Sequence, residues 1–198
     1  DLLASIRIAG EQVADDAEFV TRRAVHQQHL AALLILHDER RTGHRVEKLV
    51  LPKIKKKIHH KVSLVQISTT EHCFLFRLNK IPFPQELADY LADENIKKIG
   101  LALRDDFNGL IRQRHFKPAN FVDLQSIVRN YGILELGLQK VFAVVFGRKI
   151  SKAQRLTNWE NAELTEQQQI YAATDAWASL LIYLQLIKEK KLTKKQCK

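Results

Sequence analysis

Midway along this chain, two strand-like runs stand only four residues apart, and from there on strands and helices alternate. "KVSLVQIST", 61–69, sets Val62, Leu64 and Ile67 against Ser63, Gln66 and Ser68, the apolar–polar alternation of a strand. "CFLFRL", 73–78, is a second strand, and the short gap "TTEH" joins the two as an antiparallel hairpin. "PFPQELADYLAD" then opens with prolines and continues as a helix. "KKIGLAL", 97–103, reads as a buried strand and "RDDFNGLIRQR" as a helix. "NFVDLQ", 120–125, reads as a strand running into the helix "LQSIVRNYG". "LGLQKVFAVVFG" is a further helix closed by Gly147. Residues 148–165 are polar and irregular, and a long apolar helix over 166–187 ends the body. A hairpin followed by strands that helices separate predicts an α/β fold, a mixed sheet flanked by helices.

The first third is less patterned. "DDAEFVTRRAVHQQHLAALL" reads as an N-terminal helix, with Asp15 or Asp16 as its cap and Phe19, Val20, Val25, Leu30 and Leu33 at helix-like apolar positions. "LLIL", 33–36, is alternatively a short strand. A length of 198 residues suits one domain over 1–198, and 45% apolar residues suffice for its core. The longest apolar run, Leu30 to Leu36, is too short to span a bilayer, so no membrane role is expected. The N-terminus lacks the basic start and apolar stretch of a secretory signal. Methionine is absent even from position 1, so the chain is expected to be a fragment, a processed product or an incomplete sequence. Cys73 and Cys197 stand alone, which fits a reducing compartment and a cytoplasmic location. His59, His60, His72 and Cys73 match no structural zinc spacing.

The net charge of +10 is concentrated. Residues 53–61, "KIKKKIHHK", carry five lysines and no acid, and the tail 188–198 carries six lysines and one glutamate. A solvated loop and tail would account for this. So would a rim that binds a polyanion around a nearly neutral body.

Three aspartates sit beside apolar structure. Asp106 follows "IGLAL" at the carboxyl end of an expected strand, where open α/β sheets place their ligands. Its neighbour Asp105 points elsewhere. Asp123 lies inside "FVDL", and Asp175 lies in the apolar helix with Tyr171 four residues earlier on the same face. Carboxylates gathered on apolar walls repel one another and persist when they hold a cation or share a proton. Oxygen ligands without Cys or His suit Mg²⁺ or Mn²⁺. Two such ions about 4 Å apart drive phosphodiester displacement, and a tyrosine hydroxyl one turn from a ligand aspartate can hold the attacking water. The competing accounts are a surface or capping aspartate and an ordinary core tyrosine with a polar tip.

"VSLVQIST", "IGLALRDDFNGL", "FVDLQ" and "QRLTNWENAELTEQQQIYAATDAWASLLIY" together resemble the DEDDy 3′–5′ exonucleases. This ribonuclease D-like group includes the exonuclease domain of Werner helicase and small single-domain bacterial members. The resemblance covers about residues 61–187 and leaves 188–198 as a basic tail. Its most specific part is Y-x-x-x-D after "LT-x-x-Q". It implies a ribonuclease H-like fold with a mixed five-stranded sheet whose first three strands are antiparallel. It implies removal of nucleotides from the free 3′ end of DNA or RNA with two Mg²⁺ or Mn²⁺ ions. The second motif, carried by Gly100, Arg104, Asp105 and Asp106, makes Asp106 a metal ligand. The third makes Tyr171 the water-orienting group and Asp175 a metal ligand. Asp123 falls on a position that is often acidic without being a ligand, and is read as structural.

The first motif departs from the family's D-x-E. Read forward from "LLIL", Asp38, Glu39 and Arg40 put arginine where the glutamate belongs. Read backward from "VSLVQ", the pair falls near Glu47 and Leu49. Asp38 and Glu39, or Glu47, are therefore the candidates for completing the metal set. Adjacent carboxylates on a strand reach one face only if a bulge intervenes. Lys55, Lys56 and Lys57, with Arg155 before the last helix, are candidate phosphate contacts. Two functions stay open, a two-metal 3′–5′ exonuclease and a catalytically impaired exonuclease-like module that binds nucleic acid. Oligomeric state is left open as well.

Overall fold

The computed structural model describes the backbone of residues 6–9, 30–37 and 61–196, and side chains between 61 and 189. The strands are β1 (Ile6–Ala9), β2 (Leu30–His37), β3 (Val62–Ser68), β4 (Cys73–Phe76), β5 (Lys97–Gly100) and β6 (Phe121–Asp123). The helices are α1 (Gln85–Ala92), α2 (Leu103–Gln113), α3 (Leu124–Arg129), α4 (Leu138–Phe146) and α5 (Glu166–Gln196). One mixed sheet runs in the order β1-β4-β3-β2-β5-β6. β3 is antiparallel to both β2 and β4, while β5 and β6 run parallel to β2.

Five of these strands have the arrangement that the ribonuclease H-like resemblance implies. The sixth, β1, lies outside it and pairs parallel with β4 at the sheet's edge. Four residues, "IRIA", are too few for a period-2 pattern to stand out. A second difference lies in β2. Leu30 and Leu33, expected in a helix, belong to this strand, so the strand reading of "LLIL" holds and extends to both sides. β2 is hydrogen-bonded to β3 on one edge and to parallel β5 on the other. Central strands read as unbroken apolar runs, which periodicity cannot tell from a buried helix.

The hairpin forms as the sequence predicts, with Ser68 opposite Cys73. Thr69 closes it, its amide donating to the His72 carbonyl at 2.8 Å and its hydroxyl accepting from the His72 amide at 3.0 Å. Every residue of β3 is buried, the polar ones included. Its register explains the irregular alternation. Leu36 faces Leu64 but His37 faces Val62, so Ser63 is an extra residue opposite the end of β2. Such a bulge shifts the side-chain phase. Val62, Val65 and Ile67 thus share one core cluster while Leu64 joins another.

Those clusters are the two faces of the sheet. One packs under α1 and α2, with Leu87, Leu91, Leu103 and Leu110 against Val65 and Phe76. The other packs under α3, α4 and α5. α5 crosses this second face, setting Ala172, Ala173 and Ala176 against Leu64 and Leu75, then Ile182 and Leu186 against the cluster around Ile99. The alanines let the helix backbone approach closely, which buries neighbouring positions of the same turn. By length and composition α5 is apolar enough to cross a bilayer over Glu166–Glu189. Here that apolarity faces the sheet.

Candidate active site

The best-defined part of the site is the amino-terminal half of α5. Thr165 and Gln168 form a reciprocal capping box that starts the helix. The Thr165 hydroxyl accepts from the Gln168 amide at 3.3 Å, and the Gln168 side-chain carbonyl accepts from the Thr165 amide at 3.0 Å. The Gln168 amide nitrogen also donates to the Thr157 hydroxyl and the Asn158 carbonyl, each at 3.0 Å. "LT-x-x-Q" is therefore a helix start that also fastens the preceding loop. From the sheet, the buried guanidinium of Arg77 donates to the carbonyls of Asn161 and Ala162, the latter at 2.6 Å. The loop 157–162 is held from both sides, and Trp159 packs beside Tyr171 with ring centroids 6.0 Å apart.

Tyr171 and Asp175 lie one turn apart on this helix. Asp175 is only 5% exposed, and its Oδ1 is buried with no hydrogen-bond partner among the described residues. Burial pushes its carboxyl up from an ordinary 3.8 to about 6, and the Tyr171 hydroxyl, donating to it, offsets part of that rise. Tyr171 is itself held well above the usual tyrosine range, first by burial and then by the Asp175 charge. Two groups act in the opposite direction on it, the Arg155 guanidinium and a hydrogen bond from Gln139. Tyr171 is thus a neutral hydroxyl at ordinary pH, suited to hydrogen bonding and not to acting as a base. A buried carboxylate with an unpartnered oxygen lacks positive charge. A divalent cation fits this donor set, since all its oxygens are hard ligands.

Asp106 belongs to the first turn of α2, on the opposite face of the sheet. It is half-buried while Asp105 is exposed, as the divergence of adjacent side chains predicts. The strand expected to reach residue 103 ends at Gly100, and α2 begins at Leu103. Ala102 turns the chain in the left-handed region, at φ 59°. The Asp123 carboxylate accepts the amides of Ala102 at 3.2 Å and Leu103 at 3.1 Å, which stops the strand there. Asp123 thus holds the backbone at this junction, in keeping with the structural reading that the resemblance implies.

The amino-terminal half of α5 and the carboxyl end of α2 each touch β3, on its two faces. Leu64, which packs with Ala172 and Ala176, is in register with Leu36 near the carboxyl end of β2. The last residue of α2, Gln113, donates to the carbonyl of Val62, the register partner of His37. Lys61, the last residue of the lysine-rich run, is exposed at that same end of β3. Asp38, Glu39, Glu47, Lys55, Lys56 and Lys57 lie outside the described residues. Among the described residues, no three His, Cys, Asp or Glu side chains gather closely enough to hold a metal by themselves. No sequence motif marks Gln139 or Trp159 as part of this site. Gln139 is 32 positions before Tyr171 in a different helix, so no linear spacing connects them.

Residues 53–191 match the family model described as 3′-5′ exonuclease. The bifunctional 3′-5′ exonuclease/ATP-dependent helicase WRN of Mus musculus is 33% identical over 136 residues, 64% of this chain and 9% of that protein. Exonuclease 3′-5′ domain-containing protein 2 of Homo sapiens is 31% identical over 138 residues, 64% of this chain and 22% of that protein. The chain thus spans a minor part of these relatives. Among solved structures, the Aedes aegypti Nibbler EXO domain superposes with a TM-score of 0.76 at 18% identity, covering 98% of this chain and 91% of that one. Escherichia coli RNase D superposes with a TM-score of 0.75 at 22% identity, covering 96% of this chain and 46% of that one. Both likenesses give the fold.

Proposed function

This chain belongs to the 3′-5′ exonuclease domain family, and we propose that it hydrolyses the terminal phosphodiester bond at the 3′ end of DNA or RNA with two Mg²⁺ or Mn²⁺ ions. The observation that carries this reading is the buried, unpartnered Oδ1 of Asp175 beside a neutral Tyr171 hydroxyl. Divalent-metal dependence is general in the family. Asp175 and Asp106 would hold the ions, together with an acid from Asp38, Glu39 or Glu47. Bound there, the ions would lower the pKa of a water and neutralise charge on the leaving oxygen.

The chain's own groups do the positioning. The Tyr171 proton is committed to Asp175, so its oxygen lone pairs remain to accept. Gln139 is placed to donate to that oxygen, and a remaining lone pair would accept a proton of the attacking water and orient it toward phosphorus. Trp159 fixes the ring from the side. Arg155, exposed and close enough for its charge to act on Tyr171, would meet an incoming phosphate. Lys55, Lys56 and Lys57, outside the described residues, are further candidates for phosphate contact.

The degenerate first motif, Asp38-Glu39-Arg40, favours one rival, a module that binds nucleic acid without cutting it. A 3′-end-labelled oligonucleotide, DNA and RNA in separate arms, distinguishes the two. Cleavage in Mn²⁺ that EDTA stops and that Asp175→Asn and Asp106→Asn remove supports the exonuclease. Salt-sensitive retention without cleavage supports the rival.

A further inference from the structure

One carboxylate makes three backbone hydrogen bonds at the junction that launches α2. Asp123 ends β6 in register with Gly100, the last residue of β5. Its Oδ1 accepts the amides of Gln125 at 2.9 Å and Ala102 at 3.2 Å, and its Oδ2 accepts the amide of Leu103 at 3.1 Å. The first bond caps α3, its own helix. The other two reach 20 and 21 residues back along the chain. They cap the start of α2, whose own N-cap residue, Ala102, has no side chain to do so. Ala102 sits in the left-handed region, where a non-glycine residue costs about 1 kcal/mol or more unless its surroundings hold it. Asp106 follows Leu103 by three residues on the same rigid turn. The direction in which its carboxylate projects is set where the helix begins.

We propose that Asp123 is a positioning residue for the metal site. By clamping the amides of Ala102 and Leu103 it fixes the first turn of α2 and so the placement of Asp106. It touches neither metal nor substrate. The inference rests on the proposed metal-ligand role of Asp106. Groups hydrogen-bonded directly to metal ligands change affinity about 10- to 100-fold when removed; Asp123 acts through the backbone, one step further out, which sets the expectation at the lower end.

The test is Mn²⁺ binding, read by electron paramagnetic resonance of the free ion, on wild type, Asp123→Asn, Asp123→Ala and the double variant Ala102→Gly/Asp123→Asn. Binding of a 3′-ended oligonucleotide in EDTA is measured beside it. Asp123→Asn is expected to raise the Mn²⁺ dissociation constant about tenfold, with oligonucleotide retention in EDTA unchanged. Glycine at 102 accepts the left-handed turn without strain, so the double variant is expected to recover part of the affinity. If Asp123→Asn is folded and binds Mn²⁺ like wild type, the inference is overturned. So it is if Asp123→Asn only lowers the melting temperature and its folded fraction keeps wild-type affinity. Should Asp123→Ala fail to fold, the Asn and double variants still decide. A wild type that binds no Mn²⁺ would overturn the proposed function itself, which is a different result from equal binding by wild type and variant.

Discussion

In metal-free protein, Asp175→Asn is expected to stabilise the fold while destroying its use. The wild-type carboxyl is raised from 3.8 to about 6 by burial, at a side chain 5% exposed. Roughly two powers of ten in proton affinity, at about 1.4 kcal/mol each, make a cost of about 3 kcal/mol for holding the ionised group in the folded state. The folded pKa lies above the unfolded one, so the native state binds the extra proton. The cost is therefore fully present above pH 6 and is relieved as pH falls through 6 toward 3.8. Asparagine is neutral, nearly isosteric and still accepts from Tyr171. Urea denaturation in EDTA, followed by the fluorescence of Trp159 and Trp177, should find the variant more stable at pH 7.5 by about 2–3 kcal/mol. That gap should close by pH 4. Added Mn²⁺ should close the gap at 100 times its dissociation constant, where it stabilises wild type by about 2.7 kcal/mol and the variant by little, and reverse the order at 1,000 times, where the gain is about 4.1 kcal/mol. A variant less stable than wild type at pH 7.5 in EDTA, or a gap independent of pH, would refute the reasoning.

Other outcomes follow from the same geometry. Tyr171→Phe keeps the ring beside Trp159 but loses the water-holding oxygen, so turnover should fall about 100-fold or more while Mn²⁺ affinity holds; a drop in affinity instead would place Tyr171 in a different role. Arg155→Ala should weaken 3′-end binding and flatten its dependence on salt concentration, checked by fluorescence anisotropy across a salt series. Thr165→Ala removes one half of the α5 capping box and should cost about 1 kcal/mol, read from urea midpoints. Lys98 is fully buried, its ammonium donating to the carbonyls of Tyr90 at 3.1 Å and Asp93 at 2.5 Å, and burial lowers its pKa from 10.5 to about 8. Its folded pKa lies below the unfolded one, so the cost of its charge is present below pH 8 and relieved between 8 and 10.5. Wild type should therefore gain stability relative to Lys98→Met over that range, and parallel pH curves for the two would count against it.

Local patterns carried much of this protein. The hairpin, the helices of 85–146 and the apolar α5 follow from turn residues, caps and periodicity, and these act over a few positions. Tyr171 and Asp175 were legible for the same reason, since one helical turn makes them neighbours wherever the helix goes. Where neighbours come from elsewhere, the sequence was silent or ambiguous. β2 resembles a helix until β3 and β5 pair with both its edges. β5 stops at Gly100 because an aspartate more than 20 residues later takes the next amides. Gln139 reaches Tyr171 only because α4 and α5 pack together on one face of the sheet. The sequence by itself determined the hairpin, the helices from residue 85 onward and which acids stand on apolar structure. Only the tertiary structure decided which of those acids is left with a buried, unpartnered oxygen, because desolvation depends on everything packed around a group and not on its neighbours in the chain.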